Sequence, residues 1–389
     1  MSTHSPSAEV GGEVVDLPGG EVSVAIIGAG GLGLHLAQRV VERFPNIELW
    51  LIDRDGDSAR RAAQAARGFL RPSLDGAPIH WHAVDVLDSD ALDNVVGGVD
   101  VVVNAVTRLP VETWWQMASD SRNGDEFNAL GFGPWLSLHL VLADGVTAAV
   151  ARSARRPWFI NAAYPDVINA ILARWHDVVP LGFGNLRLLE APMRVAIADR
   201  LGLTPSRVEV AMAAHYVHLR ALMRGSDHLG PGLALSVSVD GEPLDFEGHS
   251  IESLYRSVAL TIPPGEASHP WTAATFVADL EAILGRSSDG HMPGPMGKIG
   301  GYPVTLGPSG VELRLPPGWD LTDVEAAMDE AGREDGVEGI DGDHVVHFTE
   351  KAKSLYRTLF GATLRPLSRA DLAGIAEEQL TLLKRGFAN

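Results

Sequence analysis

The segment GAGGLG follows the apolar run VSVAII and precedes the amphipathic stretch LHLAQRVVERF. In the spacing G-x-G-x-x-G, Gly28 permits a tight turn, Gly30 lets a pyrophosphate approach the backbone, and Gly33 allows a helix to pack closely on a strand. Free amides at the helix start, at Gly31 and Leu32, favour the phosphate charge. The segment therefore predicts a dinucleotide site, with a purely structural strand-to-helix turn as the alternative.

Acidic residues at the ends of the next two strands extend this prediction. Asp53 ends the stretch IELWLID, about twenty residues beyond the glycines, where a carboxylate accepts hydrogen bonds from an adenosine ribose. The same charge repels a 2′-phosphate, so NAD is favoured over NADP, although Arg54 follows directly and weakens that preference. Asp85 and Val86 end the third predicted strand and are expected on the adenine side. A simple strand-end turn is the alternative for Asp53.

The elements that position these residues alternate between strand and helix. The uninterrupted apolar stretches VSVAII, IELWLID, IHWHAVDV, DVVVNAV and PWFINAA predict buried strands of a parallel sheet, with amphipathic helices between them. This pattern predicts an α/β fold, a Rossmann doubly wound parallel sheet. We expect a flexible tail over 1–20, the dinucleotide-binding domain over 21–165 and an α+β domain over 166–389. Residues 108 to about 132 are interpreted as a partly ordered loop over the site.

Composition excludes several classes of function. The net charge of −19 argues against binding to nucleic acid or to an anionic membrane, since both reward clustered Lys and Arg. The absence of cysteine excludes disulfides, thiolate nucleophiles and Cys-ligated metal, and fits a reducing, cytoplasmic compartment. The first twenty residues lack a signal-peptide pattern, and no membrane span is predicted. The expected partner is a small-molecule substrate, and no metal site is predicted.

A longer segment in the second half resembles the lactate and malate dehydrogenases. In GFGNLRLLEAPMRVAIADRLGLTPSRVEVAMAAHYVH, Arg194, DRLGLTP and His215 follow the order of that family's arginine-bearing helix and catalytic histidine. VNAVTR and NAAYPDVIN are similar to the family's segments beside the nicotinamide. The resemblance implies a second domain of lactate/malate dehydrogenase type and association into a homodimer or homotetramer. It also implies cofactor contacts by residues of the two strand ends, namely Asn104, Ala105, Val106 and Asn161.

By this resemblance His215 is the proton-transfer residue, because a neutral imidazole can take a hydroxyl proton while hydride leaves for the nicotinamide. His218 lies close in sequence and could also serve. Arg108 matches an arginine of the family's mobile loop, and Arg194 completes the expected catalytic set.

Two positions depart from the family pattern. Pro192 stands where the family places the arginine that binds the substrate carboxylate, and Leu189 stands where it places the aspartate that orients the histidine. Glu190, one residue further, is the expected substitute as orienter. A bidentate carboxylate clamp is therefore not expected, and the predicted substrate is a specialised alcohol or ketone rather than a simple 2-hydroxy acid.

A second resemblance keeps other functions open. SRNGDEFNALGFGPWLSLHL, FINAAYPDVIN and GFGN are similar to segments of the family-four NAD-dependent glycosidases, whose chemistry is redox-neutral. In that alternative a metal would be held by His215, with Asn161, Asn185 or His218. The first hypothesis is an NAD-dependent oxidoreductase that acts on a secondary alcohol or ketone. The others are a redox-neutral NAD-using enzyme and a nucleotide-binding protein without catalysis.

Overall fold

A parallel sheet of six strands in the order β3-β2-β1-β4-β5-β6 forms the centre of the first half. The computed structural model describes residues 22–69, 78–119, 123–226, 229–244, 253, 263, 265–285 and 288–386. The strands are β1 (Ser23–Ile27), β2 (Glu48–Asp53), β3 (Ile79–Ala83), β4 (Val101–Asn104), β5 (Trp158–Asn161) and β6 (Leu181–Gly182). This order defines the dinucleotide-binding doubly wound sheet, and the predicted fold class is confirmed.

Helices cover both faces of the sheet at its central strands, which is why every residue of β1 is buried and apolar or small. At the edge of the sheet, four of the five residues of β3 are exposed. They are α1 (Gly31–Arg43), α2 (Gly56–Gly68), α3 (Ser89–Val96), α4 (Val111–Ala118), α5 (Gly124–Leu130), α6 (Leu136–Arg152) and α7 (Pro165–Trp175). The sheet extends to Gly182, beyond the domain boundary expected at residue 165. Strand β6 has only two residues, too few to give a periodic signal in the sequence.

The segment interpreted as a partly ordered loop contains two helices, α4 and α5. Trp114 is fully buried, and its ring packs 5.6 Å from that of Phe127 and 5.7 Å from that of Phe132. These aromatic contacts hold the segment as part of the core. The loop interpretation was therefore wrong for 111–118 and 124–130, whereas residues 120–122 lie outside the part that the structure describes.

Residues Gly133–Arg152, which include α6, form one helical stretch that is long and apolar enough to cross a membrane. In the fold, 72% of its apolar window is buried against other elements. It is the central helix of the larger hydrophobic cluster, where Leu136, Leu138 and Leu140 are completely buried. Its apolar character is thus accounted for by core packing.

Within its described residues, the second half combines helices with three small antiparallel sheets. The helices are α8 (Asn185–Leu201), α9 (Tyr216–Met223), α10 (His269–Leu284), α11 (Leu321–Glu334), α12 (Glu350–Phe360) and α13 (Leu372–Gly386). The strands are β7 (Val208–Ala213), β8 (Ala234–Val239), β9 (Glu242–Pro243), β10 (Ser288–Pro293), β11 (Gly301–Gly307), β12 (Gly310–Leu313), β13 (Val337–Ile340) and β14 (Val346–Phe348). This is the expected α+β composition; the expected flexible tail, 1–20, lies outside the described residues.

Two helices of the second half return to the Rossmann sheet. Helix α10 packs along α1, and α13 packs along α6. On α13, Gln379 Oε1 accepts a hydrogen bond from the Ser137 hydroxyl at 2.6 Å, and Gln379 Nε2 donates one to the Pro134 carbonyl at 2.7 Å. These contacts bring residues that are far apart in sequence to the edge of the sheet where the strands end.

The three motif glycines have different steric environments. A Cβ atom on Gly33 would lie 1.8 Å from the Gly28 carbonyl oxygen, and one on Gly28, whose φ is +106°, would lie 2.8 Å from the Ala105 carbonyl oxygen. A Cβ on Gly30 would meet no atom of the described residues within 4 Å. Gly28 and Gly33 are thus required by packing, whereas Gly30 borders open space.

We expect Gly33→Ala to lower the free energy of unfolding by roughly 1–3 kcal/mol, because the added methyl group overlaps backbone that cannot move freely. Gly30→Ala is the matched control and should lower it by about 1 kcal/mol or less, because alanine is a poorer N-cap than glycine but its Cβ meets no atom of the described residues. Urea denaturation followed by circular dichroism measures both. Equal effects of the two substitutions would contradict the packing role of Gly33.

Candidate active site

A cleft of about 900 Å³ lies where the central strands end. It is bounded by the loops after β1, β2, β3, β4 and β5 on one side and by α8, α9, the start of α10 and α13 on the other. Parallel sheets bind ligands at this carboxyl edge. Thirteen of the residues singled out from the sequence line it: Gly28, Gly30, Gly31, Leu32, Gly33, Asp53, Arg54, Asp85, Val86, Ala105, Val106, Arg108 and Asn185.

The glycine loop presents backbone amides to the cleft. Helix α1 has Gly30 as its N-cap, no described side chain caps its first amides, and its first turn has no acidic residue. The ring of His269, from the start of α10, covers the next position, since a Cβ on Gly31 would lie 3.0 Å from His269 Nδ1. Uncapped amides beside open space at Gly30 fit a pyrophosphate.

Asp53 lies at the rim of the same loop. Its Oδ2 accepts a hydrogen bond from the Ala29 amide at 2.9 Å, and its Oδ1 accepts one from the Asp55 amide at 3.0 Å. A carboxylate can accept about four hydrogen bonds, so both oxygens retain capacity for ribose hydroxyls. Arg54 is exposed and lines the cleft beside it. The residues present therefore fit a dinucleotide.

Asn104 and Asn161, expected to contact the cofactor, are fully buried and do not line the cleft. Asn104 Nδ2 donates to Asn161 Oδ1 at 2.9 Å, and Asn161 Nδ2 donates to Asn169 Oδ1 at 2.9 Å. Asn161 Oδ1 also accepts from the Ala163 amide at 3.0 Å. The two side chains instead hold the ends of β4 and β5 together, so that the residues that follow can face the cleft.

His215 is 1% exposed and lies one side chain behind the cleft wall. Its ring centre is 6.2 Å from that of Tyr164, which does line the cleft. His215 Nδ1 accepts from the Val217 amide at 3.3 Å, and the His215 amide donates to His218 Nδ1 at 2.9 Å. The pair thus caps α9, and burial holds the pKa of His215 well below its usual range.

Glu190 and Arg194 also lie away from the cleft. Asn185 and Leu188 form the side of α8 that lines the cleft, and Glu190 is about 200° around the helix from Leu188. Arg194 Nε lies 3.5 Å from Glu190 Oε1, one turn apart, and burial raises the pKa of Glu190. The expected catalytic roles of the two residues are therefore corrected, because helical rotation turns them away from the substrate side.

Several cleft residues were not identified from the sequence as functional. His139 lies in α6, and its Nδ1 is 2.7 Å from Thr107 Oγ1. The one available signal was an ionisable residue within the apolar stretch WLSLHLVLA. Glu377 and Lys384 reach the cleft from α13, and Glu377 forms an ion pair with Arg108. No local pattern could have indicated these two, because only the packing of α13 on α6 brings them there.

A buried carboxylate, Asp335, holds the wall of the cleft together. It accepts hydrogen bonds from the Tyr164 hydroxyl and, at 2.9 Å, from the Phe132 amide, and its Oδ1 is 2.7 Å from Arg220 Nη1. The Arg220 guanidinium lies 5.7 Å from the centre of the Trp114 ring. Burial and the adjacent Asp335 charge raise the pKa of Tyr164. The Tyr164 hydroxyl is therefore hydrogen-bonded to a carboxylate, and the side chain contributes its apolar ring to the wall of the cleft.

A second buried carboxyl group lies behind Asn185. Asp166 is fully buried, and its Oδ2 accepts a hydrogen bond from Asn185 Nδ2 at 2.6 Å. Its Oδ1 has no partner within the described ranges. Burial raises the pKa of Asp166 to about 7. In the residues covered by the structure, no group of three or more His, Asp or Glu side chains is placed to hold a metal ion.

Comparison with known proteins agrees with this geometry. Residues 24–122 match the family model of the saccharopine dehydrogenase NADP binding domain. The chain resembles malate dehydrogenase from Cryptosporidium parvum, with a TM-score of 0.55 and 17% identity over 81% of this chain and 98% of that one. Malate dehydrogenase from Aeropyrum pernix gives a TM-score of 0.56 and 18% identity, over 80% and 97% of the two chains. No curated protein matches by sequence.

A lactate dehydrogenase from Eimeria maxima, solved with NADH and oxamate, is also similar, with a TM-score of 0.54 and 15% identity over 81% of this chain and 93% of that one. The protein thus contains a Rossmann dinucleotide-binding domain. More particularly, it has the fold of the lactate and malate dehydrogenases, as the resemblance implied. At these identities the likeness defines the fold, and the site alone carries the argument about function.

We expect Asp335→Asn to lower the free energy of unfolding by roughly 3–5 kcal/mol, because it leaves the buried Arg220 guanidinium without a compensating charge. The control is Asp93→Asn, which removes the carboxylate from an exposed pair with Arg152 and should cost about 1 kcal/mol or less. Chemical denaturation measures both. Similar losses for the two variants would contradict the role given to Asp335.

Asp166 should make stability fall as pH rises. Its folded pKa is about 7 against an ordinary value of 3.8, so between pH 4 and 7 the native state keeps a proton that the unfolded chain releases. Raising the pH through this window then weakens folding by an amount on the order of 3 kcal/mol. Urea denaturation from pH 4 to 7 should show a flatter profile for Asp166→Asn than for the wild type. Parallel profiles would contradict this assignment.

Proposed function

We propose that the protein is a nicotinamide-dinucleotide-dependent oxidoreductase that interconverts a secondary alcohol and its ketone. The observation that carries the proposal is that one cleft contains both parts of such a site. At one end lie the uncapped amides of α1, the open space at Gly30 and the carboxylate of Asp53. At the other lies a pocket of aromatic and aliphatic side chains that includes a buried histidine, His139.

The cofactor proposed is NAD, with NADP as the alternative. Asp53 supports NAD, since its carboxylate at the ribose position disfavours a 2′-phosphate. Arg54 and the match of residues 24–122 to an NADP binding domain support the alternative. Bound there, the nicotinamide would accept or supply a hydride. The chain's own residues would hold the pyrophosphate at the α1 amides and the adenosine ribose at Asp53.

The substrate end of the cleft supports an apolar substrate. Helix α9 contributes three residues one turn apart, Tyr216, Leu219 and Met223, and α8 contributes Leu188 beside Asn185. Pro192 occupies the position at which an arginine clamp was sought in the sequence. Arg108 is already paired with Glu377. The substrate proposed therefore carries an apolar group at the reacting carbon instead of a carboxylate.

Calorimetric titration with NADH and with NADPH tests the cofactor assignment. We expect micromolar binding of NADH by the wild type, and at least tenfold weaker binding by Asp53→Ala because the ribose hydroxyls lose their acceptor. Arg54→Ala is the control and should leave NADH affinity within about threefold. Tighter binding of NADPH that depends on Arg54 would overturn the choice of NAD. Binding of neither nucleotide would overturn the proposed function.

The reaction itself is tested by nicotinamide absorbance. With NAD present, 1-phenylethanol and 2-octanol are the apolar secondary alcohols to supply, and lactate is the comparison that carries a carboxylate. We expect NAD to be reduced when the apolar alcohols are supplied, and kcat/KM to be at least tenfold lower with lactate. A preference for lactate would contradict the substrate class, because it would require a carboxylate clamp that these residues do not form.

A further inference from the structure

We propose that His139 on α6, not His215, exchanges the substrate proton in this site. This inference rests on the proposed function and adds a catalytic residue at a position to which the sequence resemblance gave no role. His139 is 4% exposed, and Phe132 and Tyr164, which also line the cleft, have ring centres 4.9 Å and 6.4 Å from its own.

Two histidines line the cleft among the residues that the structure describes, and they lie at different ends. His269 covers the glycine loop, with its Nε2 3.7 Å from a carboxylate oxygen of Glu112. His139 lies beyond the end of β4, next to Thr107 and the aromatic wall. The nicotinamide end of a Rossmann cleft is the end away from Asp53. His139 is therefore the histidine placed beside the reacting carbon.

Hydrogen bonding determines which nitrogen of His139 carries the proton. Thr107 Oγ1 accepts from the Leu109 amide at 3.0 Å and lies 3.2 Å from the Leu109 carbonyl oxygen and 2.7 Å from His139 Nδ1. A hydroxyl has one proton and two lone pairs. All three contacts are satisfied only when the hydroxyl donates to the carbonyl and accepts from His139 Nδ1–H. Nε2 then keeps a lone pair.

That lone pair has no other use in the fold. His139 Nε2 is buried and has no hydrogen-bond partner in the described part of the chain, which is costly unless a ligand supplies one. Burial lowers the pKa of His139 to about 3, so the ring is neutral at physiological pH. A neutral ring with an open Nε2 can accept a proton from a bound hydroxyl group.

In the direction of alcohol oxidation the step is balanced as follows. The substrate O–H bond breaks and its proton passes to His139 Nε2. The hydrogen on the carbinol carbon would leave with its electron pair as hydride, which an oxidised nicotinamide bound in the cleft would accept. The oxygen lone pair closes the carbonyl double bond. His139 then returns the proton to solvent when the product leaves, and Thr107 keeps the ring oriented through Nδ1.

The neighbouring groups are less suited to this role. The Tyr164 hydroxyl is engaged by Asp335. His215 also has an unpartnered Nε2, but it lies behind the Tyr164 ring and does not line the cleft. His218 is bonded at both ring nitrogens, to the His215 backbone and to the Pro231 carbonyl at 2.9 Å.

Matched asparagine substitutions test the assignment. In His139→Asn the amide can keep the donor to Thr107 while the Nε2 position is lost, and in His215→Asn the amide oxygen can keep the cap on Val217. We expect turnover of 1-phenylethanol to fall roughly 10²–10⁴-fold in His139→Asn and less than about fivefold in His215→Asn. NADH affinity should stay within threefold in both. The reverse pattern of turnover would overturn the proposal.

A second measurement does not depend on activity. Nitrogen-15 NMR of histidine-labelled protein reports which ring nitrogen is protonated, and comparison with His139→Asn identifies the His139 signals. We expect a proton on Nδ1 and none on Nε2, both before and after NADH is added. A proton on Nε2 would overturn the role of His139 while leaving the proposed function intact. Failure of the wild type to bind NADH or NADPH would remove both.

Discussion

The shape of the cleft depends on the contacts of one buried carboxylate, that of Asp335. It comes from the turn after α11 and binds the Tyr164 hydroxyl, the Phe132 amide and the Arg220 guanidinium. These groups belong to three separate parts of the chain. Because a charge so deeply buried is tolerated only when it is compensated, the three parts are held in one arrangement, and Tyr164 is fixed as a wall of the cleft.

The buried polar side chains around the cleft fall into two groups. The hydrogen bonds that hold the fold itself, such as those between the asparagines behind β4 and β5 and those that cap α9, are made by fully buried side chains. Among the buried side-chain atoms without a hydrogen-bond partner in the described residues, His139 Nε2 belongs to a residue that lines the cleft, and His215 Nε2 and Asp166 Oδ1 lie directly behind its wall. Other such atoms, for example in Arg187 and Ser288, belong to residues that do not line the cleft. An unpaired buried polar atom is costly, so the open Nε2 of His139 on the cleft wall is a physical indication that the cleft receives a polar ligand.

The first half of the chain could be predicted closely, because its signals are local. Continuous apolar strands, the spacing of Gly28, Gly30 and Gly33, and Asp53 at the end of β2 each act within one βαβ unit. The residues that the second half contributes to the cleft could not be predicted in the same way. Arg194 matched the order of residues in the dehydrogenase family, and Glu190 was the expected substitute for its aspartate, but their positions around α8 turn both away from the cleft. His215, the histidine that the same order indicated, lies behind the ring of Tyr164.

By itself, the sequence determined the fold class of the first half, the glycine loop and the carboxylate at the end of β2, since each depends on short-range backbone geometry and periodicity. Only the tertiary structure decided which histidine borders the cleft, that 111–118 and 124–130 are helical, and that α13 supplies Glu377 and Lys384. The physical reason is that these features depend on how distant helices pack and rotate against one another. Such contacts produce no periodic pattern in the sequence of either helix taken alone.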